Sequence, residues 1–310
     1  MQRVTIELAM ETVATGLRFP EGPVAMGDGS VLVVEIERGT LSRVAPDGAV
    51  DVVARCGGGP NGAAVGPDGK VWITNNGGFA WVNGMPTVQA DDYTGGSIQR
   101  VDVATGEVET VYTHCGPHRL RGPNDLVFDH TGGFWFSDPG KRRHRDRDRG
   151  GLYYARADGS EIVEVIYPLN HPNGVGLSPN GDRVYVAETE TARVFWWPLS
   201  GPGEIAGYRG PETRAHLLAG LPGWQWLDSL AVDAAGNVCV ATIRNGGITV
   251  IPPDAADGAT PIEHIPTGDP ATTNICFGGP DRRTAWITAS HSGRLLRTTW
   301  PRPGLPLAFG

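Results

Sequence analysis

The sequence contains no apolar run that approaches the roughly 20 residues needed by a membrane-spanning helix. Its first ten residues also lack the apolar core of a secretion signal. Positive charge is in deficit, since the formal net charge is -8, which argues against a nucleic-acid backbone as partner. We therefore predict a cytoplasmic protein that contacts neither a membrane nor a nucleic acid.

Cysteine is scarce and scattered. The chain has no Cys-x-x-Cys pair, which predicts reduced and mostly buried thiols at its four positions, Cys56, Cys115, Cys239 and Cys276. His114 and His118 flank Cys115, but a closed zinc site needs four ligands and the sequence shows no fourth one. The chain also lacks the Gly-x-Ser-x-Gly elbow, which argues against a serine esterase.

Glycine and proline, by contrast, are plentiful: 45 and 25 of the 310 residues. With strand-forming aliphatic residues spread evenly between them, this composition favours many short strands over long helices. Six segments share one pattern, which runs from a polar residue through an apolar strand and a tight turn into a second apolar strand. We call their first residues the head residues: Glu21, Asn61, Asn124, Asn173, Asp228 and Asn274.

The turn has a fixed place in the pattern. In the first five segments a glycine follows the head residue by eight positions, where a tight turn favours a residue without a Cβ atom: Gly29, Gly69, Gly132, Gly181 and Gly236. The sixth segment has Arg282 at this position, so we expect a different turn there. A third strand follows each segment, for example Thr40–Val44 and Gly247–Ile251.

Repeats of about 40–50 residues, each with about four short strands, are typical of β-propeller blades. We predict an all-β fold: a single six-bladed β-propeller domain over residues 1–310, with four-stranded antiparallel blades. Arg3–Leu8 or Glu11–Thr15 is expected to supply the sixth blade with a strand that closes the ring. The longest insertions are Phe79–Gly96 and Pro139–Gly150, and the mixed charges of the second favour a solvated loop.

The head residues are all polar. If each one starts the innermost strand of its blade, all six point toward one mouth of the central channel. Two carboxylates and four amides that converge on one axis predict a site for a divalent cation that prefers oxygen ligands. A single Asn or Asp could instead cap a turn, but Glu21, a poor turn former, favours the metal site for the set.

Four stretches carry a family likeness. They are FPEGPV at Phe19–Val24, GPNDLVFD at Gly122–Asp129, HPNGVGLSPNGDRVYVAET at His171–Thr189 and LDSLAVDAAGNVCVA at Leu227–Ala241. Together they resemble the senescence-marker-protein/gluconolactonase/luciferin-regenerating-enzyme family, which includes regucalcin-like lactonases, and the likeness covers nearly the whole chain. The resemblance implies a six-bladed propeller with one catalytic divalent metal, held by Glu21, Asn124, Asn173 and Asp228. It also implies lactonase or phosphotriesterase-like hydrolase activity.

We accordingly expect a metal-dependent lactonase that opens a small-molecule lactone, such as a sugar lactone, to a hydroxy acid. The metal is expected to be calcium, with zinc, manganese or magnesium as alternatives, and to act as a Lewis acid on the carbonyl group. Asp228 is the candidate general base and Glu21 an anchoring ligand, while Asp138 or a metal-bound hydroxide are alternative bases. The rivals are a phosphotriesterase or aryl esterase on the same site, and a calcium-binding or interaction propeller without chemistry. The sequence leaves the identity of the lactone and the oligomeric state open.

The second strand of each hairpin returns to the edge where the head residues lie. Its last residue is therefore expected to flank the metal mouth in four blades: Glu35, Asn75, Asp138 and Glu188. We predict that Asn61, Arg121 and Asp138 contact the substrate. The alternatives are a salt bridge at the rim for Arg121 and hydrogen bonds to loop amides for Asp138.

Four further side chains are close to the predicted mouth. His171 and His291 could serve as proton shuttles because imidazole titrates near neutral pH, and ordinary polar contacts are the alternative. Trp224 and Trp226 precede Asp228 in the chain. They could wall an apolar part of the pocket or pack in the core.

Overall fold

The computed structural model describes residues 3–207 and 215–310, and within them the protein is built almost entirely of β-strands. Six small antiparallel sheets follow one another along the chain as the blades of a six-bladed β-propeller, which confirms the predicted fold class. Residues 1–2 and 208–214, which the predicted domain 1–310 includes, lie outside the described residues.

Each blade has four main strands. The first blade consists of Pro20–Ala25, Val31–Glu35, Thr40–Val44 and Val50–Arg55. The second blade consists of Pro60–Val65, Val71–Asn75, Ser97–Val101 and Val108–Tyr112. The third blade consists of Leu126–Phe128, Gly133–Asp138, Gly150–Arg156 and Ile162–Leu169. The fourth blade consists of Pro172–Leu177, Arg183–Glu188, Arg193–Gly201 and His216–Gly220. In the fourth blade, the short strand Glu204–Ile205 pairs with the end of Arg193–Gly201. The fifth blade consists of Trp226–Val232, Val238–Ile243, Gly247–Ile251 and Ile262–Pro266. The sixth blade consists of Thr272–Gly278, Thr284–Ala289, Arg294–Thr299 and Glu11–Ala14.

Three short elements lie outside the blades. They are the hairpin Phe79–Val82 with Met85–Gln89, the hairpin His114–Cys115 with His118–Arg119, and the 3-10 turn Ala255–Asp257. In the described part of the chain no helix has the length and apolar character to span a membrane. All four cysteines are free thiols, with Cys56 and Cys239 buried.

The chain start closes the ring. Glu11–Ala14 pairs antiparallel with Arg294–Thr299 and becomes the outermost strand of the sixth blade, as predicted for this segment. In the other candidate segment, Arg3–Leu8, only Arg3–Thr5 forms a strand, and it pairs in parallel with the outermost strand of the fifth blade, Ile262–Pro266. The two ends of the chain thus meet in one sheet, and the sixth blade is completed only by the N-terminal strand.

Large aromatic side chains fill the spaces between blades. Trp72 of the second blade is fully buried against Phe128 and Phe134 of the third, with ring centroids 5.9 and 5.3 Å apart. Burial of such a side chain is worth about 2–3 kcal/mol. This packing fixes the angle between neighbouring blades, and so the width of the channel that their inner strands enclose.

The turn of the sixth blade corrects the sequence prediction. Arg282 has a φ of 54°, in the same left-handed region as the glycines at this position in the other blades. Its amide also makes the same bond across the turn, to the carbonyl of Gly279, as Gly29 makes to Met26. The turn is therefore conserved in shape, and the strain of a side chain in this conformation is offset by two hydrogen bonds between Arg282 and Gly304 of the C-terminal segment.

Glycines directly after three head residues let the inner strands approach each other. A Cβ atom on Gly22, Gly62 or Gly174 would lie within 2.6–2.7 Å of backbone atoms in another blade. For Gly62 that atom is the carbonyl oxygen of Asn124, and for Gly174 it is the carbonyl oxygen of Asp228. The glycine after the head residue is thus needed for close packing around the channel.

The insertion at residues 139–150 is not simply a solvated loop, which corrects the sequence interpretation. Lys141, one of only two lysines in the chain, is 1% exposed. Its ammonium group donates to the carbonyl of Gly78 over 2.7 Å and lies 3.9 Å from the ring centroid of Phe79. Because Gln89 also donates to the carbonyl of Arg142, this insertion and the one at residues 79–96 are fastened together.

Candidate functional site

All six head residues are buried, at 1–8% exposure, on the inner strands or immediately before them. Several of them contact a head residue of another blade, although the two are far apart in sequence. Asn274 donates to Glu21 over 2.7 Å, Asn173 hydrogen-bonds to Asp228, and the charges of Glu21 and Asp228 interact. The structure therefore brings the ends of the first, fourth, fifth and sixth blades together into one polar cluster.

Glu21 is held at one oxygen and free at the other. Its Oε2 atom accepts hydrogen bonds from the amide of Gly22, over 2.6 Å, and from the side chain of Asn274. Its Oε1 atom is buried without a hydrogen-bond partner among the described residues. Burial, followed by the nearby charge of Asp228, raises the pKa of this carboxyl well above its usual range.

Asp228 has a similar environment at the fifth blade. Burial raises its pKa to about 7, the hydrogen bond from Asn173 opposes this rise, and the charge of Asp125 adds to it. The amide of Ser229 donates to its Oδ1 atom over 3.1 Å. Asn173 also donates to the hydroxyl of Thr189 over 3.2 Å, so its amide group is oriented between the two neighbours.

Asp125 is a member of the cluster that the sequence analysis missed. It follows a head residue at the position where three other blades have glycine, and its carboxylate reaches into the next two blades. It accepts amide hydrogen bonds from Leu126, Val175 and Leu230, and burial raises its pKa to about 7. A carboxylate where three blades have glycine, and the other two have Ser229 and Ile275, is the signal that could have revealed it.

Asn124 differs slightly from its prediction, because the regular strand begins two residues later, at Leu126. Its backbone still continues the ladder, since its amide donates to the carbonyl of Ser137 over 2.9 Å. The side-chain oxygen Oδ1 is buried and has no hydrogen-bond partner among the described residues. Asn61, at the same place in the second blade, is 4% exposed.

The cluster has the properties of a cation site. Two buried oxygens, Glu21 Oε1 and Asn124 Oδ1, have no partner in the described chain, and unpartnered buried oxygens cost about 1–3 kcal/mol each. None of the ion pairs among the described residues involves Glu21, Asp125 or Asp228. A divalent cation would supply both the missing partner and the missing charge.

The donor set mixes carboxylates with amides. Among residues 3–207 and 215–310 no group of three or more His, Cys, Asp or Glu side chains is arranged to hold a metal ion. The candidate set of Glu21, Asn124, Asn173 and Asp228 contains only two such side chains, and amide oxygens provide the rest. Oxygen-only donors of this kind suit calcium or magnesium better than a soft metal.

The side chains at the ends of the second strands, expected to flank the metal mouth, accept hydrogen bonds from the loops that lead into the head residues. Glu35 accepts from the amide of Arg18 over 2.7 Å, and Asn75 from the amide of Gly59 over 2.9 Å. Glu188 accepts from the amide of Asn170 over 2.8 Å. Each donor lies two or three residues before the head residue of the same blade, so these side chains fix the loop that leads into it.

Asp138 follows the same rule in the third blade. Its two oxygens accept amide hydrogen bonds from Arg121, Gly122 and Gly140, each over 2.8–2.9 Å. This is the loop-amide arrangement that the sequence left open as an alternative. The side chain of Arg121 is exposed, and no ion pair involving it occurs among the described residues.

The remaining sequence candidates are distributed around the site. His171 has a φ of 56°, as does Phe19 at the same place in the first blade with 54°, and its Nδ1 atom is buried. Burial lowers the pKa of His171 to about 4. His291 is exposed. His114 and His118 are also exposed, on a hairpin of their own, and they belong to no group of three potential metal ligands among the described residues.

The other end of the channel is apolar. A cavity of about 340 Å³ lies there between the hairpin turns and the C-terminal segment, with Asp125 and Asn274 at its inner side. Phe309 packs edge-on against Phe128 at a centroid distance of 5.8 Å. This end of the channel is thus lined by apolar side chains of the C-terminal segment.

Comparison with known proteins identifies a family that matches most of the chain. Residues 19–291 match the model of the SMP-30/Gluconolactonase/LRE-like region. A gluconolactonase from Zymomonas mobilis is 26% identical over 328 residues, which cover 94% of this chain and 82% of that protein. The lactonase drp35 of Staphylococcus saprophyticus is 29% identical over 249 residues, which cover 80% of this chain and 70% of that protein.

A solved structure shows the same fold. The calcium-binding protein regucalcin from Agrobacterium tumefaciens superimposes with a TM-score of 0.74 over 98% of this chain and 99% of its own. Its sequence is 19% identical, so the likeness concerns the arrangement of the blades.

Proposed function

We propose that this chain, which belongs to the SMP-30/Gluconolactonase/LRE-like family, hydrolyses lactones to hydroxy acids at the head-residue cluster with one bound divalent cation. The names of two relatives, a gluconolactonase and a lactonase, support the reaction class. The observation that carries the proposal is the pair of buried, unpartnered oxygens of Glu21 and Asn124 beside the uncompensated carboxylate of Asp228. An interaction propeller without chemistry would have no use for such a cluster inside its channel.

The cation would be held by Glu21, Asn124, Asn173 and Asp228. A divalent ion in such a site polarises an ester carbonyl and lowers the pKa of water. Calcium suits the all-oxygen donor set, and the Agrobacterium relative is described as a calcium-binding protein. Zinc, manganese and magnesium are the alternatives.

Within this proposal Glu21 and Asp228 have different tasks. Glu21 is fixed by Gly22 and Asn274 and serves as an anchor. Burial raises the pKa of Asp228 to about 7 without a bound ion, and a bound divalent cation would lower it. The carboxylate would then be ionised near neutral pH, as a general base must be. It would take a proton from the attacking water and return it to the ring oxygen as the acyl C–O bond breaks, which yields one hydroxy acid.

Three residues complete the proposed site. Asn61 lies at the head of the second blade, and the exposed Arg121 precedes Asn124 by three positions, so both are proposed to contact the substrate. Asp138, whose oxygens already accept three amide bonds, would act on the substrate through the backbone of Arg121 and Gly122. Asp138 is therefore proposed as a positioning residue.

A panel of lactones, measured by acid release in a pH-stat, tests the proposal. We expect hydrolysis of at least one sugar or simple lactone, its loss after dialysis against EDTA, and its return when calcium is added. Aryl esters and phosphotriesters are the comparison substrates. Hydrolysis that persists in EDTA would contradict the role of the metal, and a protein active only on phosphotriesters would contradict the reaction class.

A further inference from the structure

An arginine contacts two tryptophans at the entrance to the fifth blade. The guanidinium carbon of Arg244 lies 3.7 Å from the ring centroid of Trp224 and 4.2 Å from that of Trp226. We call these three residues the tryptophan–arginine stack. Cation–π contacts at such distances orient the plane of a guanidinium group and keep its position fixed.

The stack lies on the same side of the molecule as the head-residue cluster. Trp226 and Asp228 belong to the same strand, two residues apart, which corresponds to about 6.6 Å along a β-strand. Arg244 follows the end of the strand that pairs with it, Val238–Ile243. A ligand atom bound at Arg244 would therefore lie beside a substrate whose reacting carbonyl is at Asp228.

The conformation of the stack is not explained by packing of the core. Trp224 is 75% exposed, which is unusual for the largest apolar side chain. Arg244 has a left-handed backbone, with a φ of 73°, a strained conformation for a residue with a side chain. A hydrogen bond of 3.4 Å from Asn245 to Gln225 ties the two loops that carry the stack. An exposed aromatic side chain next to a strained backbone is typical of a ligand-binding surface.

The N–H groups at the edge of the Arg244 guanidinium are the hydrogen-bond donors that the stack offers to a ligand. The guanidinium carbon lies over both indole rings, and contacts of this kind use the ring faces and leave the N–H donors of the group for other partners. Arg38 and Arg294, near the same end of the molecule, are each paired with a carboxylate, of Glu35 and Asp269 respectively. No ion pair within 4.0 Å involves Arg244 in the described part of the chain. A planar pair of N–H donors matches the two oxygens of a carboxylate.

We propose that Arg244 binds a carboxylate group carried by the substrate, so that the site selects lactones with an acidic substituent. The inference rests on the proposed lactonase function for the substrate class, but the anion site itself does not depend on turnover. A protein with a net charge of -8 repels anions at long range, so a fixed local cation would be needed to recognise one. Trp224 and Trp226 act as positioning residues that hold the guanidinium edge toward the mouth.

The first experiment measures binding without chemistry. Tetrahydrofuran-2-carboxylate, which has the ring and the anion but no ester bond, is titrated into the full-length protein by calorimetry, and tetrahydrofuran-2-carboxamide is the neutral comparison. We expect Arg244→Gln to weaken carboxylate binding about 10- to 100-fold, as for the loss of a charged hydrogen bond, with Arg244→Lys intermediate and carboxamide binding unchanged. Arg183→Gln is the matched control, because Arg183 stacks on Trp196 at 4.2 Å at the opposite, turn-facing end of the fourth blade.

The second experiment uses the matching lactones, 5-oxotetrahydrofuran-2-carboxylate and its carboxamide. Arg244→Gln should raise the KM of the acid by the same 10- to 100-fold, with a small change in kcat, and leave the KM of the amide unchanged. Undetectable binding of the carboxylate to the wild-type protein, or equal binding to wild type and Arg244→Gln, would overturn the anion site even if lactones are hydrolysed. Arg244-dependent binding by a protein that hydrolyses no lactone would keep the anion site and refute the lactonase function.

Discussion

Asn274 in the last blade donates a hydrogen bond of 2.7 Å to Glu21 in the first blade, across 253 positions of sequence. The bond lies where the ring closes, and it joins two head residues of the candidate site. Closure of the propeller by the N-terminal strand of the sixth blade therefore also sets the position of the carboxylate that we propose as the metal anchor. Stability of the ring and integrity of the site are linked at this contact.

Asn274→Ala should weaken calcium binding about 10-fold, because loss of a partner to a metal ligand typically reduces affinity 10- to 100-fold. Calorimetric titration of the metal-free protein with calcium measures the change. Asn237→Ala is the control, since Asn237 makes an equally short bond of 2.7 Å to the carboxylate of Asp233 at the turn end of the fifth blade. Equal calcium affinity for the two variants would show that Asn274 does not support a metal ligand.

Asp228→Asn and Asn173→Ala should separate proton transfer from metal binding. Asp228→Asn keeps an oxygen donor but removes the base, so calcium affinity should largely remain while kcat falls about 10²- to 10⁴-fold. Asn173→Ala should weaken calcium binding, with activity partly restored by excess calcium. Near wild-type turnover of Asp228→Asn in saturating calcium would identify Asp228 as a ligand only, and would direct the search for the base to other groups.

Asp125→Asn should destabilise the fold, because an amide cannot accept all three of the backbone hydrogen bonds that the carboxylate accepts. At pH 4, below the pKa of about 7 that burial gives this group, the folded carboxyl is protonated and no buried charge is relieved by the substitution. There we expect the free energy of unfolding to fall by about 1–3 kcal/mol. Urea denaturation measures it. Asp47→Asn, whose single bond to the amide of Ala49 is exposed, should change it by less than about 0.5 kcal/mol; equal effects would remove the proposed bridging role.

Lys141→Met should change the pH dependence of stability. Burial lowers the pKa of Lys141 to about 7, against 10.5 as the ordinary value, and the charges of Asp138 and Asp148 oppose the shift. Between these two pH values the unfolded chain binds a proton that the folded protein does not. The free energy of unfolding of the wild type should therefore rise from pH 7 toward pH 10, relative to Lys141→Met, by at most about 1.4 kcal/mol per pH unit.

The measurement is urea denaturation of both proteins at pH 7, 8 and 9, so that titrating groups common to both cancel. Carbon-13 NMR of labelled lysine offers a direct check, since Lys70 is the only other lysine and gives the reference signal. A Lys141 signal that shows no titration below pH 9 would contradict the prediction. So would parallel stability curves for the two proteins.

The sequence alone was sufficient for the blades. The predicted strand bounds Thr40–Val44 and Gly247–Ile251 agree with the structure residue for residue. The reason is that strand and turn patterns are local: alternation of side chains and a glycine at a fixed distance act over a few residues. The head residues follow from the same repeat, because a fixed place in each blade corresponds to a fixed place around the channel.

Which side chains support the head residues could be seen only in the tertiary structure. Asp138 lies at the strand end where the sequence placed it, yet its oxygens are used by amides of the preceding loop. Which polar group at a strand end faces a ligand, and which one faces a loop, depends on the path of that loop. The backbone conformation of Arg282 likewise could not be predicted from its local sequence, since it is stabilised by Gly304 of the C-terminal segment.

Contacts between blades were decided only by ring closure. Asp125 accepts hydrogen bonds from amides of the fourth and fifth blades, and Lys141 is buried between the insertions of the second and third blades. The sequence determined a six-bladed propeller with a polar ring at one mouth, because both arise from a repeated local pattern. Burial, pairing and pKa of individual side chains depend on neighbours brought together from distant parts of the chain, and these neighbours exist only in the folded ring.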